Sequence, residues 1–437
     1  MALWILGLVF FIITFGPRYF VLMNFGYGFY DLGLYTQFFS GLSEGFFNPY
    51  IPTLNKLFFF ARPEPLFFIL WPITFLTTDS SIFLFLDEMA ILSTAVICAN
   101  FAWRKTQNSL LASVLFGVVL FSPLTMNSLH DPAALEIWAQ PFLALLFAEY
   151  FSKRRLLQMG AYFSALCLLN LNFCFLAVLL GPFVLLTERP RWNLNRRLKI
   201  TSAILILSLV GLGFLHYFQN KIYFESSLWM SYGGRLLDLL SCFCFIPLLV
   251  PEVILFGLFL MFAEINGRHV APTLLIPLAA ISVIMFSDRY RLDRYRLDRY
   301  LLDHSPTDQR LQSRDRVPFF YGVLSFLLLA SCVYYNVVGP DPFFCFWKPE
   351  RWTITDENRA THEMISHIPG EDTLASSSCF TPVLGGRLSL RTTDSINWHQ
   401  DELPRYVLTR NEAFIDARYS KIEENMKSGT RLLVRIK

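Results

Sequence analysis

The chain has 437 residues, of which 54% are hydrophobic, 16% aromatic and only 16% charged, with a formal net charge of +3 and a mean hydropathy of +0.43. Soluble domains carry about 25% charged residues, so this composition cannot cover a soluble globule of the same length; disorder and a disulfide-stapled secreted domain are excluded with it. A charge of +3 is too small to argue for a nucleic-acid partner, and what remains is an all-α polytopic membrane protein.

A bilayer-spanning helix takes roughly 17–25 apolar residues. The runs 2–23, 57–77, 82–103, 109–126, 133–151, 156–187, 200–218, 236–264, 270–286 and 318–338 are candidates. Asn170 and Asn172 interrupt 156–187, and Pro247 and Pro251 lie within 236–264. Each of these two is either a helical hairpin or one tilted helix, which gives about 10–12 spans. The first run has no basic leader and no small-residue cleavage site, so it reads as an uncleaved anchor.

Lys and Arg set the orientation. They gather at Arg104/Lys105, Lys153–Arg155, Arg189–Lys199 and in the basic segment 287–317, which are assigned to the cytoplasm. The connections 127–132 and 170–172 hold no basic residue, and 24–56 holds only Lys56. Residues 24–81 then form the first outer loop. Within it, 57–77 contains Arg62, Pro63, Glu64 and Pro65 and reads as a re-entrant or interfacial element. The membrane domain spans 1–340, and 236–264 crosses twice, turning near Pro251.

From Asp341 the apolar runs stop. Residues 341–437 read as a small α/β domain outside the membrane on the non-cytoplasmic side. Thr355–His367 is expected to be helical, Thr373–Ser377 and Tyr406–Thr409 extended, Glu412–Lys427 an amphipathic helix and Arg431–Ile436 a closing strand.

The repeat DRYRL-DRYRL-DRYLL-D at 288–303 has a five-residue period, which builds no constant helical face. It is either an anionic-lipid contact or a tandem duplication in a solvated loop. The eight cysteines form no CxxC, and the seven histidines form no HxxxH or HExxH, so a zinc site has no support. Cys345 and Cys379 are the pair available for a disulfide in an oxidising compartment.

After the first run comes Asn24-Phe-Gly-Tyr-Gly-Phe-Tyr-Asp31-Leu-Gly-Leu-Tyr-Thr-Gln37. No Lys or Arg lies within helical reach of Asp31. An acid there is costly unless it faces a cavity or a partner, or unless it caps a helix opening at Leu32.

Asp31-Leu-Gly-Leu-Tyr-Thr-Gln37 resembles the D-L-G-x-[FY]-x-Q element of a polytopic family known as domain of unknown function 2079, similar in layout to GT-C glycosyltransferases. Further stretches resemble that family in order and spacing: Arg62-Pro-Glu-Pro65 with the run to Pro72, Leu129-His130 with Ala139-Gln-Pro141, Pro247 with Pro251, and His269-Val-Ala-Pro272. In the tail the similar pieces are Ile368-Pro369, Pro382-Val-Leu384 with Arg387, and Tyr406-Val-Leu408. The chain departs from the pattern at Ala61-Arg62, where the family has Asp-His, and at Asn170-Leu-Asn172, where it has an acidic stretch.

The resemblance implies a plasma-membrane enzyme, of prokaryotic type, that moves a sugar from a polyprenyl-phosphate carrier to an outer-face acceptor. Asp31 would be the general base. Lys56 and Arg62, or later Arg235 and Arg268, would stabilise the leaving phosphate. Gln37, Glu64, His130, Asp131 and His269 would contact substrate on the same face. A divalent cation at Asp31 is compatible with hard oxygen ligands. The alternatives are a catalytically silent binding or scaffold protein on the same fold, and a transporter, for which the sequence shows no two-half repeat.

Overall fold

The computed structural model describes residues 2–27, 30–51, 56–62, 64–130, 132–133, 135–152, 156–169, 243, 276–290, 292, 308–338, 349–370, 372–384, 387, 390–393, 403–410, 418–425 and 429–436. The candidate spans 200–218 and 236–264, the second part of 156–187, the basic clusters 153–155 and 189–199 and Cys345 lie outside these residues.

The described chain is mostly helical, with a small sheet towards its C-terminal end. In chain order come α1 (Ala2–Met23), α2 (Tyr30–Ser43), β1 (Tyr50–Ile51), β2 (Lys56–Leu57), α3 (Phe58–Ala61), a 3-10 turn at Pro65–Leu70, α4 (Trp71–Thr74), α5 (Ser81–Thr106), α6 (Ser109–Phe121), α7 (Pro123–Ser128), α8 (Leu135–Phe151) and α9 (Leu156–Leu169). Residues 276–290 form α10, followed by α11 (Asp308–Val338). Among the described residues, three stretches are long and apolar enough to cross a membrane: Leu3–Met23, Ser81–Thr106 and Ser109–Met126. Trp4, Ile5, Leu8, Val9 and Ile12 are all exposed on α1, a face that water would not favour.

The run 57–77 is no single helix. It breaks into α3, the 3-10 turn and α4, because Pro65 and Pro72 each supply a fixed φ and remove a backbone donor. The segment 287–317, expected as a loop, is helical at both ends: α10 continues to residue 290 and α11 begins at Asp308.

The chain divides into two compact units, Met1–Phe11 with Glu88–Cys345 and Ile12–Asp87 with Phe346–Lys437. In the first, the α5–α6 corner turns at Gln107, which takes a φ of 55°. The Asn108 side chain then caps α6 by accepting from the Leu111 amide at 2.8 Å. Pro123 ends α6 by denying it a further donor. The Val119 carbonyl this frees accepts from the Thr125 hydroxyl at 2.8 Å, and the amide of Asn336 on α11 donates to the Phe121 carbonyl at 2.6 Å.

The second unit joins the end of α1, α2 and the 50–76 segment to the C-terminal residues. These form α12 (Asp356–Ser366), β3 (Leu374–Ser376), α13 (Thr381–Leu384), β4 (Leu390–Thr392), β5 (Tyr406–Arg410), β6 (Tyr419–Asn425) and β7 (Thr430–Arg435). The sheet order is β4-β3-β5-β7-β6. β3 runs parallel to β4 and β5, and β7 runs antiparallel to β5 and β6.

The helix expected over Glu412–Lys427 is corrected: Tyr419–Asn425 is a strand. Its Glu- and Lys-rich composition favours helix locally, but pairing with β7 along six registered positions overrides that preference.

One face of the sheet packs on α12 and α13 through Met364, Ile368, Phe380, Leu384 and Leu408, and Phe25 from the end of α1 belongs to this core. α1 ends in a Schellman arrangement: the Gly26 amide donates to the Val21 carbonyl at 2.9 Å and the Phe25 amide to the Leu22 carbonyl at 3.0 Å. Phe25 takes the left-handed position, with φ at 55°, where glycine is usual. The strained backbone aims its ring into the sheet domain.

Candidate functional site

Asp31 is the second residue of α2, so it lies inside the helix rather than capping it; its side chain is outside the described residues. Downstream of it α2 is buried without a break from Leu32 to Leu42. Tyr35 stacks on Phe67 with ring centroids 4.5 Å apart, and Phe38 stacks on Phe58 at 3.8 Å. Gln37 is 3% exposed, and its amide donates to the Leu390 carbonyl at 3.3 Å. The D-L-G-L-Y-T-Q helix is therefore seated on the first residue of β4.

Those stacked rings also hold the segment that carries the other expected residues. Lys56 sits exposed on β2, paired across from Ile51 on β1, and makes no ion pair among the described residues. Arg62 follows α3, its amide donating back to the Phe58 carbonyl at 2.7 Å. Its guanidinium lies 3.8 Å from Glu64, which is fully buried. Gln37, Lys56, Arg62 and Glu64 thus share one unit with the start of α2.

His130 is exposed and belongs to the other unit. Asp131, His269, Arg235 and Arg268 lie outside the described residues. Among the described residues no group of three or more His, Cys, Asp or Glu could hold a metal ion.

Sequence reasoning missed the polar groups that cluster at the end of α1. Arg18, 2% exposed, donates to the fully buried Asp87 at 2.6 Å. Arg18 is a lone charge in one apolar run, and Asp87 with its neighbour Glu88 interrupts another; that pattern was the available signal. Tyr27 adjoins the pair: burial raises its phenol pKa, Arg18 opposes this through its charge and by donating a hydrogen bond, Asp87 adds to the rise and Arg351 opposes it.

Asn24 forms a second junction. Its side-chain oxygen accepts from the Thr355 amide at 3.0 Å and from Asn358 at 3.2 Å, while its own amide donates to the Thr353 carbonyl at 2.8 Å. The His362 ring stacks on Phe25 at 4.6 Å, and its Nε2 lies 2.8 Å from the Met23 carbonyl. On α1, Trp352 packs so closely over Gly16 that a Cβ there would fall 2.7 Å from the indole.

Chemically, the unit offers an acid at the opening of α2, an exposed cation at Lys56 that makes no ion pair among the described residues and a cation–carboxylate pair at Arg62 and Glu64. Arg18 is committed to Asp87. No protein-family model and no curated protein matches the chain.

Proposed function

We propose that this chain is a multi-pass membrane protein of about 10–12 spans, with residues 341–437 on the non-cytoplasmic side of a plasma membrane, and that it acts as a GT-C-like glycosyltransferase. The donor is a sugar on a polyprenyl-phosphate carrier and the acceptor a hydroxyl on the outer face. Asp31 at the opening of α2, in the same compact unit as Lys56 and the C-terminal domain, is the observation that carries the reading.

The acceptor oxygen attacks the sugar's anomeric carbon and passes its proton to Asp31. The carbon–oxygen bond to the carrier breaks, and the polyprenyl phosphate leaves with the electron pair beside Lys56. The sidedness is supported by the Asn24–Thr355 bond. A residue just past α1 and one in the tail lie together, which requires an even number of crossings between them.

A second reading, a silent binding protein on the same fold, is favoured by the seating of Gln37 on the Leu390 carbonyl and by the burial of Glu64 beside Arg62. Both groups then serve packing. The two readings separate in proteoliposomes supplied with a panel of polyprenyl-phosphate hexoses. The transferase consumes one of them, and Asp31→Asn slows that turnover by about 10²–10⁴-fold with the folded yield unchanged. Binding without consumption by the wild type, or full turnover in Asp31→Asn, sides with the silent protein.

A further inference from the structure

A groove of about 310 Å³ opens on the first unit between the N-terminal end of α1 and the α5–α6 hairpin. That volume lies at the small end of ligand sites, which run from about 300 to 1,000 Å³. Its two ends differ. α5 and α6 are antiparallel about the corner at Gln107, so Val96 and Phe116 lie together far from the corner, while Trp103 and Ser109 lie together beside it.

Polarity follows the same axis. The deep end is aliphatic and aromatic. Asn100 and Ser113 line the groove nearer the corner, and neither makes a side-chain hydrogen bond among the described residues. Arg104 follows Asn100 by four positions, hence on the same helical face one turn closer to the corner. It is exposed and makes no ion pair among the described residues. Its neighbour Lys105 is committed elsewhere, donating to the Phe151 carbonyl at 3.1 Å and lying 4.0 Å from Asp288. Trp4, 81% exposed, and Trp103, 45% exposed, flank the opening, as aromatic side chains do at a membrane–water boundary.

We infer that this groove is a binding site for an anionic phospholipid: one acyl chain fills the apolar depth, the ester region meets Asn100 and Ser113, and the phosphate pairs with Arg104. The charge selects the headgroup. An apolar groove alone would take any lipid, whereas the exposed guanidinium of Arg104, one turn beyond Asn100 and without an ion pair among the described residues, distinguishes an anionic headgroup from a zwitterionic one. The inference rests on α1, α5 and α6 lying in a bilayer but not on transferase activity.

The test is native mass spectrometry of the full chain, purified in detergent and titrated with phosphatidylglycerol or phosphatidylcholine of identical chains. The wild type retains phosphatidylglycerol at least five-fold better. Arg104→Gln, an exposed substitution that leaves packing alone, removes the preference while keeping residual binding of both lipids. Ser113→Phe fills the groove and lowers retention of both. Soluble glycerol phosphate does not compete, because the acyl chain is required.

Equal retention of the two lipids by wild type overturns the inference, as does an unchanged preference in Arg104→Gln. A wild-type dimer that Ser113→Phe dissociates also overturns it, in favour of a second copy in the groove. Release of the chain from membranes by alkaline carbonate would instead overturn the bilayer reading itself.

Discussion

The ring of Phe25 meets that of Phe380 edge-on, with centroids 4.9 Å apart and planes at 78°. The end of the first apolar helix is thereby a core residue of the C-terminal sheet domain. Its left-handed backbone costs about 1–2 kcal/mol for a residue other than glycine, and the burial of an aromatic side chain offsets this. Phe25→Ala loses the ring and keeps the strain; Phe25→Gly loses the ring and relieves the strain. Both variants are expected to unfold at lower denaturant, with Phe25→Gly the more stable of the two by about 1 kcal/mol. Equal midpoints would mean that the positive φ carries no cost.

Arg18 and Asp87 form a buried pair whose removal is not symmetric. Arg18→Met leaves Asp87 buried without its cation, and Asp87→Leu leaves Arg18 without its anion. Each single change is expected to destabilise by about 3–5 kcal/mol, and the double change by much less than their sum. Thermal unfolding of the four proteins in one detergent gives the coupling, and additive losses would show that the two charges are independently solvated.

Two glycines in helices are expected to behave oppositely. A Cβ on Gly41 would enter the ring of Pro49, whose Cγ would lie 2.8 Å away. A pyrrolidine ring cannot rotate clear, so Gly41→Ala should cost about 1–3 kcal/mol as backbone moves apart. A Cβ on Gly322 would meet nothing within 4 Å, so Gly322→Ala should be neutral or gain up to about 1 kcal/mol from helix propensity. Unfolding midpoints of the two variants test the contrast.

Hydrogen bonds from Lys421 and Arg431 pull the Glu424 carboxyl below its ordinary pKa. Arg431 donates to it at 2.8 Å across the β6–β7 ladder. A carboxyl depressed in the folded state contributes stability above its unfolded pKa near 4.5, and this is lost as pH falls through the lower folded value. Between pH 6 and the acid limit the thermal midpoint of wild type should therefore fall further than that of Glu424→Gln. Parallel curves would mean that the three side chains are solvated separately.

The parts of the fold that were legible in the sequence are those with a local cause. A long apolar run announces α5 at Ser81–Thr106 against an expected 82–103, and short apolar runs at Leu374–Ala375 and Val407–Leu408, buried on both faces, announce β3 and β5. β6 was not legible, because a register shift between Lys421 and Glu423 breaks its two-residue period and its residues favour helix when taken alone. The pairing of Arg18 with Asp87 is invisible for a different reason: 69 residues separate them, and no local pattern relates a base in one apolar run to an acid in another. Within the candidate site, Asp31 and Gln37 stood out by motif. The destination of Gln37, a carbonyl 353 positions away, depends on tertiary packing that no local pattern encodes.

The bonds from Asn24 to Thr355 and Asn358 also impose an order on biosynthesis. Asn24 leaves the ribosome 331 residues before Thr355, a delay of roughly 20–70 s at typical elongation rates. Throughout that interval Phe25 has no core to enter and α2 has no β4 to rest on. The second unit is begun at Ile12 and is the last to be finished, with the whole of Glu88–Cys345 made in between. A nascent chain stalled short of α12 should therefore carry an exposed aromatic knob at the end of its first helix and be a target for chaperones.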